Sequence, residues 1–107
     1  MARSTWKIVE RKIAALLGGE RVPISGRQRG YAPDIDHEWM ALEVKSRKTP
    51  LKLLVEMMAQ AEASAAYSKK KTGVEKMPVG IYHVDNTPYG NSYVILRLDD
   101  FIDRFGT

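Results

Sequence analysis

The sequence predicts an α/β fold in which a mixed β-sheet is flanked by helices, in the order α-β-β-β-α-β-β-α. Three observations lead there. Two stretches carry apolar residues at helical spacing, five shorter ones alternate apolar and polar residues between turn formers, and the longer helical stretch separates the third strand from the fourth. A helix in that place is a crossover, which makes strands three and four parallel neighbours.

Taken in order, Trp6, Val9, Ile13, Leu16 and Leu17 recur at helical spacing from Thr5, with Ser4 or Thr5 as the N-cap and Gly18-Gly19 as the stop. Residues 20–24 (ERVPI) read as a short strand, and 25–30 (SGRQRG) as a basic loop whose glycines and arginines do not suit a core. Residues 31–36 form the second strand, His37-Glu38 a tight turn, and 39–46 the third strand, with Met40, Leu42 and Val44 alternating onto one face. Pro50 opens a long helix over 51–71, where Ala61, Ala65 and Ala66 allow close approach to a sheet and Thr72-Gly73 marks the end. Residues 78–85 (PVGIYHVD) and 92–98 (SYVILRL) are two more strands around the turn NTPYGN, and Asp99 caps a short final helix, DDFIDRF.

A chain of 107 residues is expected to form one domain, 1–107, with a core of its own. It has no cysteine, which removes disulfides, thiolate zinc sites and cysteine nucleophiles, and its two histidines, His37 and His83, are placed at the surface or in turns. Oxygen ligands remain. The start, MARSTWKIVERK, lacks the apolar core of a signal peptide and no run is long enough to span a bilayer, so a cytoplasmic protein without membrane contact is expected. Lys and Arg number 17 against 13 Asp and Glu, and the net charge of +4 suits a polyanionic partner.

Within the third strand, Glu43 and Lys45 are two apart and share a face, while Leu42 and Val44 point to the other side. The hairpin turning at His37-Glu38 brings Asp34 to the Glu43 end, so two carboxylates converge on one cation. Such a site suits Mg²⁺, or Mn²⁺ in its place, with water completing the octahedron. Glu10 is a third acid: at about 100° per residue it falls between Trp6, Ile13 and Leu17, inside the apolar stripe, while Lys7, Arg11 and Lys12 take the polar side. Buried there it needs a partner, and a metal or its water is the one that costs least. Alone, an E-x-K pair is more often an exposed salt bridge on an edge strand. Three polar residues landing independently on inward faces, in the order helix, strand, strand, point instead to a site.

Pro33-Asp34, eight residues, then Glu43-Val44-Lys45 resembles the signature of the PD-(D/E)XK nuclease superfamily, whose fold has the same α-β-β-β-α-β order. Within it the chain is most similar to the archaeal type of Holliday junction resolvase. The matching features are an acid in the first helix (Glu10), Ser25-Gly26, Pro33-Asp34, Glu43 to Ser46, Gln60 in the following helix, and the closing strand with Asp100-Phe101. The resemblance implies a restriction-endonuclease-like fold and metal-dependent hydrolysis of DNA phosphodiesters leaving 5′-phosphate. Asp34 and Glu43 match the metal ligands, Lys45 the residue beside the attacking water, and Glu10 a residue that binds the metal or orients its water. Ser25 matches a loop serine that contacts substrate; it is equally a turn hydroxyl capping local backbone. Asp36 shares a strand face with Asp34 and remains an alternative to it or an Asx-type turn residue, and Gln60 is either a supporting residue or an ordinary boundary glutamine.

DNA contacts are expected from bases around the site: Arg3, Lys7 and Arg11, Arg27 and Arg29 in the glycine loop, and Arg47 and Lys48 after the third strand. They position phosphates and carry little sequence information, so branched or otherwise structured DNA is the expected partner. Resolving a four-way junction takes two nicks of like polarity and one chain has one site, which implies a homodimer about a two-fold axis. Trp39, Tyr89, Tyr93, Phe101 and Phe105 are the candidate contacts. Two alternatives are a nuclease acting on nicks, flaps or ends in restriction or repair, and a basic DNA-binding module that kept the fold and lost catalysis.

Overall fold

A computed structural model of the protein describes residues 5–23 and 32–106. Nine short elements follow in order: α1 (Thr5–Leu17), β1 (Glu20–Arg21), β2 (Ile35–Asp36), β3 (Ala41–Leu42), α2 (Lys52–Thr72), β4 (Gly80–Tyr82), a 3₁₀ turn (Tyr89–Asn91), β5 (Tyr93–Ile95) and α3 (Leu98–Phe105). The protein is therefore mixed α/β, and among the described residues its helices and strands follow one another as the sequence predicts. The pairing differs: β1-β2-β3 form one antiparallel sheet and β4-β5 another. The mixed sheet with strands three and four as parallel neighbours gives way to these two among the described residues. Each strand is two or three residues long. In the β2-β3 and β4-β5 pairs each strand meets the next one along the chain, which keeps the loop to be closed short. The chain gathers into two compact units, Met1–Lys48 with Gly106–Thr107, and Thr49–Phe105.

In the first unit, α1 turns Glu10, Ala14 and Leu17 inward, all at most 4% exposed. This stripe differs from the expected one. Trp6 and Leu16 are about half exposed, and the Trp6 ring instead lies 5.3 Å from both the Lys7 ammonium and the Arg21 guanidinium. The helix stops where Gly18 takes a left-handed φ of 73° and the Gly19 N–H reaches back to the Ala14 carbonyl at 2.9 Å, a six-to-one closure that only a glycine-like backbone makes without strain. His37 bonds the Leu17 carbonyl at 2.8 Å through Nε2, so that nitrogen carries the proton and satisfies an orphan acceptor at the helix end. Its Nδ1 then accepts the Trp39 N–H at 3.3 Å. His37 is thus a turn residue with a structural job. Trp39, expected at the start of β3, lies in the turn with its ring edge-on to the imidazole at 5.8 Å.

Ile35, fully buried, is the centre of this unit. A Cβ on Gly19 would stand 2.6 Å from the Asp36 carbonyl oxygen and 2.8 Å from Ile35 Cγ2, so the end of α1 is pressed against β2. Gly19→Ala should destabilise the protein by about 1–3 kcal/mol through this overlap, read as a lower thermal midpoint. An unchanged midpoint would mean that α1 and β2 are not held this close.

In the second unit, α2 ends at Gly73, whose N–H bonds the Lys69 carbonyl at 2.7 Å, and Lys69 also pairs with Glu75 at 3.0 Å. Lys69, Lys70 and Lys71 lie in the last turn, where the helix dipole favours cations. Met58 is its buried residue, and Met57 Sδ lies 2.7 Å from where a Gly80 Cβ would be. Across β4-β5, Tyr82 faces Tyr93, and the next residue outward, His83, stacks on Tyr89 at 4.9 Å while bonding Ser92 Oγ at 3.0 Å. The final helix begins one residue earlier than expected, at Leu98. Asp99 and Asp100 therefore occupy its first turn rather than cap it, which still suits the positive end of the dipole. Arg97 pairs with Glu62 at 3.0 Å, and that hydrogen bond holds its guanidinium above its ordinary pKa.

Candidate functional site

The antiparallel register of β2 and β3 sets Ile35 against Leu42 and Asp36 against Ala41. Continued by one residue, it brings Asp34 to Glu43, as the hairpin reading expects. The ladder is irregular at this point: the Asp34 N–H donates to the Leu42 carbonyl at 2.8 Å, one residue out of register, and β3 ends there. Residues 43–46, expected to continue the strand, have no ladder. Their backbone is held otherwise. The Val44 N–H donates to Asp34 Oδ2 at 2.6 Å, so the aspartate side chain takes the place of a strand acceptor. On its other side, the Asp34 carbonyl accepts the Val22 N–H at 2.9 Å, in register with the β1-β2 pairing. Asp34 is tied to both neighbouring strands and is only 7% exposed.

The alternation predicted for this segment persists beyond the strand. Leu42 and Val44 are half-buried, whereas Ala41, Glu43 and Lys45 are exposed. Glu43 and Lys45 are thus exposed rather than on an inward face as the sequence reading expects, because the strand has ended before them, and the Asp34 carboxylate is bonded to the peptide between them. Asp36 is exposed within β2, whereas Asp34 is the one joined to the Glu43-Val44-Lys45 backbone.

Glu10 is buried, as the helical projection implies, but the partner it meets is Arg21. Its Oε1 accepts the Arg21 Nε–H at 2.8 Å, with the two side chains 6% and 12% exposed. A guanidinium supplies the compensating charge that the sequence reading assigned to a metal or its water. Arg21 is the residue that reading missed. It lies eleven positions away, in a two-residue strand, and reaches Glu10 with a long side chain that no periodicity marks.

Among the described residues, no three acidic or histidine side chains come close enough together to hold a metal. Asp34 and Glu43 carry carboxylate oxygens, hard donors, on neighbouring segments. Mg²⁺ is commonly held by one or two carboxylates, with water and substrate phosphate filling the rest, and these two are of that donor type. Of the basic residues expected to meet DNA, Lys7 and Arg11 lie on α1, and Arg47 and Lys48 are exposed beyond the site. Arg3, Ser25, Arg27 and Arg29 lie outside the described residues. Gln60 is exposed on α2, in the second unit. No described helix is long and apolar enough to cross a membrane. Comparison of the chain with protein-family models, curated proteins and solved structures gives no match.

Proposed function

We propose that the protein is a metal-dependent, structure-specific DNA endonuclease that acts as a homodimer on four-way junctions. What supports this most is the 2.6 Å hydrogen bond from the Val44 N–H to Asp34 Oδ2. It joins the aspartate of Pro33-Asp34 to the middle residue of Glu43-Val44-Lys45, the two halves of the nuclease signature that the sequence resembles. Asp34 and Glu43 are the residues that hold Mg²⁺, or Mn²⁺ in its place. That ion, when bound, supplies Lewis-acid polarisation of the phosphate. Lys45, on the same open face as Glu43, places its ammonium beside the attacking water and the phosphorane and stabilises the charge that develops there. Water attacks phosphorus and gives up a proton, the bond to the 3′ oxygen breaks, and that oxygen takes up a proton, leaving a 3′-hydroxyl and a 5′-phosphate.

A homodimer follows from the need for two nicks, one from each copy. Trp39, Tyr89, Tyr93 and Phe105 are exposed enough to take part, whereas Phe101 is half-buried and packs on Phe105 at 5.1 Å. A cleavage panel of four-way junction, flap, nicked duplex and single strand with Mg²⁺, together with light scattering, tests the proposal. Paired nicks on the junction and twice the mass of one chain are expected. Cutting of flaps or nicked duplex by a monomer would move the protein to the nick, flap or end nucleases, and binding without cutting would leave a DNA-binding module.

A further inference from the structure

Arg21 is held on two sides. Its Nε–H is committed to the buried Glu10 carboxylate at 2.8 Å, and its guanidinium carbon lies 5.3 Å from the Trp6 ring centroid. Those contacts use one donor and one flat side. Its two terminal nitrogens make no hydrogen bond within the described residues, and no buried side-chain nitrogen or oxygen among those residues lacks a partner. They therefore reach solvent. A guanidinium fixed through Nε, its side chain 12% exposed and its terminal nitrogens touching solvent, is a planar fork matched to two oxygens of a phosphate, and its rotamer freedom is already spent.

The strand that carries it adjoins the candidate site. Arg21 pairs with Ile35, and the next residue, Val22, donates its N–H to the carbonyl of Asp34. We infer that Arg21 is a contact for a backbone phosphate of the nucleic-acid substrate, and that Glu10 is the positioning residue that aims it. The inference rests on the nuclease proposal for the identity of the partner. It gives Glu10 a task that involves no metal, and it adds to the basic residues expected to meet DNA one whose guanidinium is fixed beside the candidate site.

The test is the salt dependence of binding to labelled duplex and junction DNA by the full chain, with Ca²⁺ in place of Mg²⁺. Losing one phosphate contact on duplex DNA lowers the slope of log K against log salt by about 0.9. Arg21→Gln should weaken binding and lower the slope by that amount, and Arg21→Lys, which keeps the charge but not the fork, should weaken binding with the slope retained. Should Arg21→Gln fold poorly, the paired change Glu10→Leu with Arg21→Met replaces the ion pair by apolar volume, a swap that buried pairs often tolerate. The folded double variant should show the same reduced slope. A lower melting temperature with wild-type affinity and slope would overturn the Arg21 assignment alone and leave an ion pair that only stabilises. Failure of the wild type to bind any of the DNAs at low salt would overturn this inference and the nuclease proposal together.

Discussion

Asp34→Asn is expected to abolish cleavage while the protein stays folded and binds junction DNA at least as tightly as the wild type. The reasoning separates two tasks of one side chain. An asparagine oxygen still accepts the Val44 N–H, so the backbone link between the two segments survives. The negative charge needed to hold a divalent cation does not, and its loss also reduces repulsion with phosphate. Asp34→Ala removes both. It should add a stability loss of about 1–3 kcal/mol, the cost of leaving a part-buried donor unsatisfied. Glu43→Gln, on an exposed side chain, should match Asp34→Asn in activity with no change in melting temperature. Binding in Ca²⁺, cleavage in Mg²⁺ and thermal melts read the three effects separately. Near-normal turnover in Asp34→Asn or Glu43→Gln would remove the site assignment.

Lys45→Ala is expected to lose on the order of 10²-fold or more in the single-turnover cleavage rate, the usual effect of deleting a donor aimed at developing charge. Lys45 is exposed, so the fold should not notice. The informative comparison is with binding: rate should fall while affinity in Ca²⁺ stays within a few-fold. A collapse of affinity with the rate at saturation unchanged would make Lys45 a phosphate contact like those expected of Arg47 and Lys48.

Helix ends were legible because glycine marks them chemically: Gly18-Gly19 and Gly73 each sit where the chain must turn left-handed or admit a close neighbour. Strand lengths were not. The alternation from Met40 to Lys45 reports which side chains face inward, and that pattern is present in the exposures, yet ladder hydrogen bonding stops at Leu42. A face does not require a ladder. Here a carboxylate bonds the peptide that a neighbouring strand would otherwise bond. Strand order along the chain likewise left pairing open, since a helical crossover permits a parallel pair but does not compel one, and every observed pair is antiparallel. For Glu10, burial could be read from the helical projection, but its partner could not, because reaching Arg21 depends on where β1 lies.

The bond between the Val44 N–H and the Asp34 carboxylate also makes one amide proton a reporter. Isolated beyond the end of a two-residue strand, that proton would ordinarily exchange with solvent about as fast as its surface neighbours, because no ladder protects it. Bonded to a buried carboxylate at 2.6 Å, it should exchange slowly and resonate well downfield of the amides of Glu43 and Lys45 on either side. Its shift follows the electron density on Asp34 Oδ2, so a cation bound there as proposed is expected to move one peak before any DNA is added. Occupancy of the site can then be followed in solution by a single resonance, without turnover and without substrate.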